Sequence, residues 1–525
     1  MKASRNWGRT LHAVDLGAEV GASELTDPMA ARFMVELSDA IENYISSLLR
    51  WDVRGLNYRG ADLREVVSRW LYFALVNDED LYGIYRRHVG TGEVPDLSVL
   101  PTIVGRLVPA VIGKEVSGKS IGTVRRLAAT LASGRSFAAQ LLVPLRTGAA
   151  AARIDCFNDA RARQVLFHLG AAKFQAYLAP IAERFGARAA YLVINDPELT
   201  DLVASTGAPV ISVSRDAAAV PSGYLAGPLL EWTSTCCDYD MMLEALSRME
   251  CMRVVIAEGN SPMQALVNRS AQQLGIRTIC VQQGWSPINH SGFRNLKYDA
   301  MCVWGKEFAR MLRPYNRLQA FMVTGSHVLS NGCQGQAGAG QGIGFFLQNG
   351  SRLITEAAWN GMLELVAWCA QTFPDREILV REHPGAPLSK DEHYRLAEYA
   401  NVRFVPAAEA ALAEVLAACR VAVAIFSTTL VEAAASGVIP LIVNMTGMLH
   451  YSPDLHRMGG GVEVSEPSAA RAVLPELLGW RGDEIRANLP AITPSLFSRC
   501  GNAAIDEIER VIEADSNRSC KDIVY

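Results

Sequence analysis

The sequence predicts an α/β protein with two doubly wound parallel sheets, preceded by a helical N-terminal region. From about residue 151, short apolar runs alternate with helical segments, and the same rhythm restarts at about residue 344. Before residue 151, apolar side chains recur at helical spacing instead. Strands that are apolar throughout, separated by crossover helices, are typical of a parallel sheet covered on both faces. We therefore expect two Rossmann-like domains.

The predicted elements set the domain boundaries. Helices are expected over 28–49, 63–76 and 118–148, within a helical N-terminal region of residues 1–150. A first Rossmann-like domain is expected over 151–329, a Gly/Gln-rich linker over 330–343, a second Rossmann-like domain over 344–480 and C-terminal helices over 481–525. The strands of the first domain are predicted at 189–194, 209–213, 253–257, 277–281, 300–304 and 321–324. Those of the second are predicted at 344–347, 377–380, 402–405, 421–425 and 439–443.

Length, charge and composition restrict the class of protein. A chain of 525 residues is too long for one hydrophobic core. The formal net charge is −4 and no dense Lys/Arg stripe is present, which argues against nucleic acid as a partner. The first residues lack the apolar core of a signal peptide, and no apolar run approaches the roughly 18 residues of a spanning helix. We expect a cytoplasmic protein, for which an association with the inner face of the cell membrane stays open.

The first candidate site follows the strand predicted at 377–380. Arg381, Glu382 and His383 come directly after it, and Pro384 ends the strand. The carboxyl ends of parallel strands are where α/β sheets bind ligands. An imidazole there can donate a hydrogen bond to a phosphate oxygen, and Arg381 can supply positive charge. A histidine that only closes a loop is the alternative.

The second candidate site is the strand-to-helix turn that carries Ser427, Thr428 and Thr429. Hydroxyls beside the free N–H groups and the positive dipole end of a helix form an anion cradle. Ser427 or Thr428 could also be an ordinary N-cap, with Glu432 closing a capping box. Glu432 could instead reach a ribose hydroxyl, and these alternatives stay open. Glu409, after the strand at 402–405, is a further candidate for the ribose.

The third candidate site lies in the first domain. Glu258 and Gly259 follow the strand at 253–257, and Gln283 and Gly284 follow the strand at 277–281. The glycines allow the backbone to turn tightly against a ligand. Burial that raises the pKa of Glu258 would suit it as a general base. Capping of the next helix, through Ser261, is the alternative.

The second half of the chain resembles bacterial capsule and surface-polysaccharide glycosyltransferases of the GT-B type. The resemblance rests on the strand followed by H-P, the F-S-T-T-L-x-E-A helix start and G-V-I-P-L-I-V, within about residues 250–450. It is nearest to the sialyltransferase, polysialyltransferase and Kdo-transferase group, which uses CMP-activated nonulosonic acids. It implies that His383, Ser427 and Thr428 hold the donor phosphate, that Glu409 binds the ribose and that Glu258 is the base. Only one of the two acids common in that base motif is present.

Two other families share parts of these patterns. The segment 275–304 looks like the CDP-glycerol glycerophosphotransferases, which commonly have His where this chain has Gln283. UDP-N-acetylglucosamine 2-epimerases share the architecture. The resemblance implies that the second domain binds the nucleotide sugar and that the first binds a glycan, lipid-linked or protein acceptor in polysaccharide biosynthesis. A degenerate transferase acting as a binding scaffold is the non-enzymatic alternative.

We expect neither a metal nor another cofactor. No dinucleotide fingerprint or Walker A motif is present, and no Cys/His pair has zinc spacing. Asp238-Tyr239-Asp240 matches the letters of a D-x-D metal motif, but we interpret it as the N-terminus of a helix over 241–249, where the dipole favours acids. The expected reaction is a direct displacement in which nucleotide phosphate leaves the anomeric carbon.

Overall fold

The computed structural model describes residues 28–51, 57–76, 82, 152–160, 163–215, 228–284, 291–329, 340–348, 354–383, 387–445 and 453–514. Within the helical N-terminal region, α1 (Pro28–Trp51) is followed by a hairpin of β1 (Asn57–Tyr58) and β2 (Ala61–Asp62) and by α2 (Arg64–Leu75). The first two predicted helices are therefore confirmed. The helix predicted over 118–148 and most of the linker at 330–343 lie outside the described residues.

The first domain contains an eight-stranded sheet. Its strands are β3 (Ala152–Phe157), β4 (Val165–Leu169), β5 (Ala189–Ile194), β6 (Val210–Arg215), β7 (Arg253–Ala257), β8 (Arg277–Val281), β9 (Ala300–Val303) and β10 (Phe321–Val323). They lie in the order β10-β9-β8-β7-β4-β5-β6-β3. All neighbours are parallel except β3, which runs antiparallel to β6 at the sheet edge.

The second domain contains a six-stranded parallel sheet. Its strands are β11 (Gly342–Phe346), β12 (Ile378–Arg381), β13 (Val402–Phe404), β14 (Cys419–Ala424), β15 (Ile439–Val443) and β16 (Val462–Val464), in the order β13-β12-β11-β14-β15-β16. In this sheet the chain first adds strands on one side of β11 and then on the other side, and in the first sheet it does the same around β4. Doubly wound sheets bind ligands at such switch points. The predicted α/β architecture of two doubly wound sheets is thus confirmed.

Helices cover both faces of both sheets. The first domain has α3 (Lys173–Phe185), α4 (Pro197–Ser205), α5 (Pro228–Ser247), α6 (Pro262–Gln273) and α7 (Lys306–Leu312). The second has α8 (Glu356–Thr372), α9 (Lys390–Ala397), α10 (Leu412–Ala418), α11 (Thr428–Ala435) and α12 (Pro467–Leu477), followed by α13 (Trp480–Leu496) and α14 (Asn502–Glu513). The strand side chains alternate between two apolar layers, so Leu166 packs toward α6 and α2 while Phe167 packs toward α3.

The C-terminal helix returns to the first domain. Arg253 at the start of β7 donates to the carbonyl of Ile512, at 2.6 Å, and Arg277 at the start of β8 donates to that of Val511, at 2.8 Å. These carbonyls lie in the last turn of α14, where they lack helical partners and where positive charge is favourable. The chain after α13 therefore ties the two domains together.

Some local predictions were wrong or incomplete. Strands β3, β4 and β16 were not predicted, and every strand of the first sheet was expected to be parallel. Helix α13 falls in the region where C-terminal helices were predicted, although it contains Pro490 and Pro494, which normally indicate a helix end. Asp238 and Asp240 lie inside α5 and do not start a helix, because α5 extends back to Pro228. Asp240 accepts a hydrogen bond from the Tyr58 hydroxyl, at 2.7 Å, and pairs with Arg59, at 3.1 Å.

None of the helices in the described part of the chain combines the length and the apolar character that a membrane crossing requires.

Candidate functional site

Glu258 stands at the carboxyl end of β7 in a backbone conformation that side-chain-bearing residues rarely adopt. Its φ is +67°, and that of Gly259 is +74°. A left-handed conformation costs a non-glycine residue roughly 1–2 kcal/mol. The Glu258 N–H donates to the carbonyl of Val281, at 2.9 Å, which fixes this turn against the end of β8. Such strain is concentrated at functional sites, so the conformation supports the prediction for Glu258.

The Glu258 carboxylate is mostly withdrawn from solvent and faces a lysine. Its side chain is 19 % exposed, and Oε2 lies 4.0 Å from Nζ of Lys173, the first residue of α3. Burial raises the pKa of Glu258, while the charge of Lys173 and a hydrogen bond with Asn260 lower it, and burial prevails. A carboxyl group with a raised pKa, still able to ionise beside a cation, has the properties of a general base.

Glu258 does not cap the helix that follows it, which was the alternative to a role as base. Ser261 is the N-cap of α6: its hydroxyl accepts from the N–H of Gln264, at 3.2 Å, and the Gln264 side chain accepts from the Ser261 N–H, at 3.0 Å. This capping box satisfies the free donors of the helix without the Glu258 carboxylate.

The glycines of the first domain differ in what surrounds them. A Cβ on Gly259 would lie 2.4 Å from Sγ of Cys280, whereas a Cβ on Gly284 would meet open space. Gln283 and Gly284 are half-buried at the end of β8. Their neighbour Gln282 is buried, and its Oε1 accepts from the N–H of Trp304, at 3.0 Å. Gln282 thus has a packing role, and Gln283 stays the predicted cleft residue of this strand end.

The second domain presents its candidates at the carboxyl ends of three adjacent strands. His383 follows β12, Gln348 follows β11 and Ser427 follows β14. The strands that precede His383 and Ser427 are not neighbours, because β11 lies between β12 and β14. Gln348, which was not predicted, fills that place: its Oε1 accepts from the N–H of Phe426, at 2.8 Å. With strands about 4.8 Å apart, His383 and Ser427 bracket a region about 10 Å wide.

His383 and Arg381 have different surroundings. Nη1 of Arg381 donates to the carbonyl of Ala410, at 2.9 Å, and so holds the loop that carries Glu409. His383 is exposed, yet the protein around its ring and, second, the charge of Lys173 lower its pKa. A neutral imidazole at pH 7 can donate one hydrogen bond to a phosphate oxygen. Glu409 is exposed in the turn after β13.

Ser427 is the N-cap of α11. Its hydroxyl accepts from the N–H of Thr429, at 3.2 Å, while Thr428 begins the helix. The N-cap interpretation and the anion-cradle prediction use the same helix end, and they are compatible. Of the alternatives left open for Glu432, the capping box is not formed, because a capping box requires the third residue of the helix, which is Leu430.

Glu432 instead lies one turn further along α11, where its side chain is partly buried. Burial raises its pKa to about 7. Burial raises the pKa of Tyr177 on α3, and the charge of Glu432 makes a further, smaller contribution across the domain boundary. Tyr177 donates its hydroxyl hydrogen to the carbonyl of Gln282, and its own carbonyl lies 2.7 Å from Nε2 of His327.

Helix α3 therefore brings the two sets of candidates together. Lys173 interacts electrostatically with both Glu258 of the first domain and His383 of the second, and Tyr177 does so with Glu432. We call Lys173, Glu258, His383, Ser427 and Glu432 the interdomain site. Lys173 was not predicted from the sequence because β4, the strand that precedes it and places it at the carboxyl end of the sheet, was not identified.

Within the described ranges, no three His, Cys, Asp or Glu side chains are grouped so that they could hold a metal ion. The candidate anion-binding groups of the interdomain site are the Lys173 ammonium, the His383 ring and the N-terminus of α11. Phosphate binding by such groups requires no metal ligand.

No family model matches the chain, and no curated protein sequence matches it. Several solved structures are similar. They include the calicheamicin glycosyltransferase CalG4 (16 % identity, 67 % of this chain and 98 % of that chain covered, TM-score 0.44). They also include HepE from Anabaena in complex with UDP and glucose (16 % identity, 67 % of this chain and 100 % of that chain covered, TM-score 0.42). A third is the UDP-GlcNAc 2-epimerase from Neisseria meningitidis bound to UDP-GlcNAc (13 % identity, 67 % of this chain and 100 % of that chain covered, TM-score 0.48).

Proposed function

We propose that this chain is a GT-B glycosyltransferase that transfers a sugar from a nucleotide-activated donor to an acceptor hydroxyl. The observation that carries the proposal is the convergence at the interdomain site. The first sheet contributes Glu258, whose backbone is left-handed and whose carboxyl pKa is raised. The second contributes a helix N-terminus and an imidazole. The first set suits removal of a proton from a hydroxyl, and the second suits a leaving phosphate.

The proposed reaction is a direct displacement. The acceptor oxygen forms a bond to the anomeric carbon while the bond from that carbon to the phosphate oxygen breaks. Glu258 takes the hydroxyl proton, and the nucleotide leaves with the electron pair of the broken bond. His383, Ser427, Thr428 and Thr429 stabilise the phosphate by donating hydrogen bonds, in part from backbone N–H groups at the start of α11.

The donor proposed first is a CMP-activated nonulosonic acid, on the strength of the H-P and S-T-T motifs. A UDP-sugar or CDP-glycerol is the second candidate. Glu409 and Glu432 are the proposed partners of the ribose hydroxyls. The acceptor is a glycan, a lipid-linked sugar or a protein, which we place in surface-carbohydrate biosynthesis. We propose that the enzyme acts in the cytoplasm, at the inner face of the cell membrane if the acceptor is lipid-linked.

Nucleotide binding is the first test of this proposal. Calorimetry and thermal shift with CMP, CDP, UMP, UDP and GDP are expected to identify one preferred nucleotide. His383→Ala should weaken its binding about 10- to 100-fold, because one hydrogen bond to a charged group contributes about 1.5–3 kcal/mol. Glu258→Gln, a change on the acceptor side, should bind it as tightly as the wild type. Binding of no nucleotide by the wild-type protein would contradict the proposal and favour a scaffold.

Lys173 offers a second test, because its charge opposes the effect of burial on Glu258. In Lys173→Met that charge is lost, so the pKa of Glu258 should rise further. A general base acts in its ionised form, and the rising limb of the pH dependence of kcat/KM should therefore move to higher pH. Lys173→Arg keeps the charge and should keep the limb in place. A limb that moves to lower pH in Lys173→Met would contradict the role of Glu258 as base.

A further inference from the structure

A buried arginine of the helical N-terminal region contacts the loop that carries Glu258. Arg69 lies in α2, and its side chain is fully buried where α2 packs on α6. Nη1 of Arg69 donates to the carbonyl of Gly259, at 2.7 Å, and also approaches that of Ser261, at 3.3 Å. The guanidinium therefore spans the two carbonyls on either side of Asn260.

The same carbonyl of Gly259 receives a second buried donor. The hydroxyl of Tyr298, which precedes β9, donates to it at 2.9 Å. Two donors on one oxygen fix the plane of the peptide bond that follows Gly259. The Glu258 N–H is already held by the carbonyl of Val281, so this turn is constrained at both ends.

The charge of Arg69 is balanced within the fold. Arg69 and Glu65, one turn apart on α2, form an ion pair, and the other Glu65 oxygen lies 3.2 Å from Nη2 of Arg269 on α6. A buried carboxylate between two guanidinium groups compensates their desolvation, which makes a fully buried arginine tolerable here. Arg269 shares Glu65 with Arg69, and its other hydrogen bond goes to Gln272 and not to the loop.

We infer that Arg69 is a positioning residue, which holds Glu258 in its left-handed conformation by clamping the carbonyls of Gly259 and Ser261. The left-handed conformation is unfavourable for Glu258, which is not a glycine, and it persists only where surrounding contacts impose it. In this way the N-terminal region completes the acceptor side of the interdomain site. The role of Glu258 as a base rests on the proposed function, whereas the clamp on the loop does not depend on it.

The test compares Arg69→Lys with Arg269→Lys, a matched control that alters the same Glu65 without touching the loop. A lysine ammonium is a point donor and cannot span both carbonyls and Glu65. We expect Arg69→Lys to lower kcat about 10²-fold, the effect of a misplacement of about 1 Å, with the donor KM changed less than about twofold. The rising limb of its pH profile should move to lower pH as Glu258 gains hydration. Arg269→Lys should change neither quantity.

Hydrogen exchange provides a readout that does not depend on activity. The amides of residues 258–261 should exchange faster in Arg69→Lys than in Arg269→Lys or the wild type. Tyr298→Phe removes the second donor to Gly259 while it preserves both ion pairs, and it should shift the same quantities in the same direction. Equal kcat, pH profile and exchange in both lysine variants would overturn the inference. If the amides exchanged faster in Arg69→Lys while the wild-type protein transferred no sugar, the clamp would be supported and the proposed function refuted.

Discussion

Glu258→Gln is expected to lower the turnover number of sugar transfer by about 10²–10⁴-fold, the usual contribution of a general base. Glutamine keeps the size and the hydrogen-bonding capacity of the side chain but cannot accept a proton at neutral pH. Because the nucleotide is proposed to bind the second domain, its affinity should stay unchanged. The measurement is kcat, with the preferred donor saturating and with nucleotide affinity determined on the same preparation.

The pH dependence makes this prediction specific. In the wild type, kcat/KM should rise with pH through the pKa of Glu258, which burial raises above the ordinary range of a carboxyl group. Glu258→Gln should lack this limb. Asp196→Asn is the matched control: Asp196 also follows a strand of the first sheet, but its Oδ1 accepts from the N–H of Leu199, at 2.9 Å, as the N-cap of α4. If Asp196→Asn abolished transfer and Glu258→Gln did not, the base would be misassigned.

The sequence predicted the architecture because burial of a parallel sheet is visible locally. Strands β5, β7 and β8 are continuous apolar runs between helices, and their predicted bounds agree with the structure to within a residue. Strand β4 was overlooked although it lies at the centre of the first sheet, because His168 interrupts its apolar run. His168 is buried there, and burial lowers its pKa to about 4, so it remains neutral in the core.

The candidate site was predictable only one strand at a time. Position after a strand was sufficient to single out Glu258 and His383, since each follows its strand within two residues. The pairing of Lys173 with Glu258, and of Arg69 with Gly259, joins segments that are remote in sequence. No local periodicity encodes such contacts, because they depend on which helices pack together. The same reason explains Glu432, whose spacing resembled a capping box but whose helix begins at Thr428.

These long-range contacts have a common consequence. Arg69 and Tyr298 restrain the loop after β7 through the carbonyl of Gly259, and Lys173 of α3 approaches the carboxylate of Glu258. The N-terminal region and the first domain together thus fix the orientation of Glu258 before an acceptor binds, which is the arrangement that lowers the reorganisation required for proton transfer. If this preorganisation matters, a change that displaces the loop backbone should be as damaging as removal of the carboxylate.

Gly259→Ala is the direct test, and we expect it to impair both stability and transfer. The left-handed backbone would cost an alanine roughly 1–2 kcal/mol. Its Cβ would lie 2.4 Å from Sγ of Cys280 and 3.1 Å from the ring and hydroxyl of Tyr298, an overpacking that typically costs about 1–3 kcal/mol. The free energy of unfolding should therefore fall by about 2–5 kcal/mol, measured by denaturant titration, and kcat of the folded protein should fall about 10²-fold.

Gly275→Ala separates the two costs, because Gly275 has nearly the same φ, +73°, with no neighbouring atom where its Cβ would lie. It should lose only the backbone contribution to stability and retain full turnover. Adding Cys280→Ala to Gly259→Ala removes the closest clash, so the double variant should recover part of both losses. If Gly259→Ala kept the turnover of Gly275→Ala, the conformation of the loop after β7 would not control the reaction, and the placement of Glu258 at its centre would be wrong.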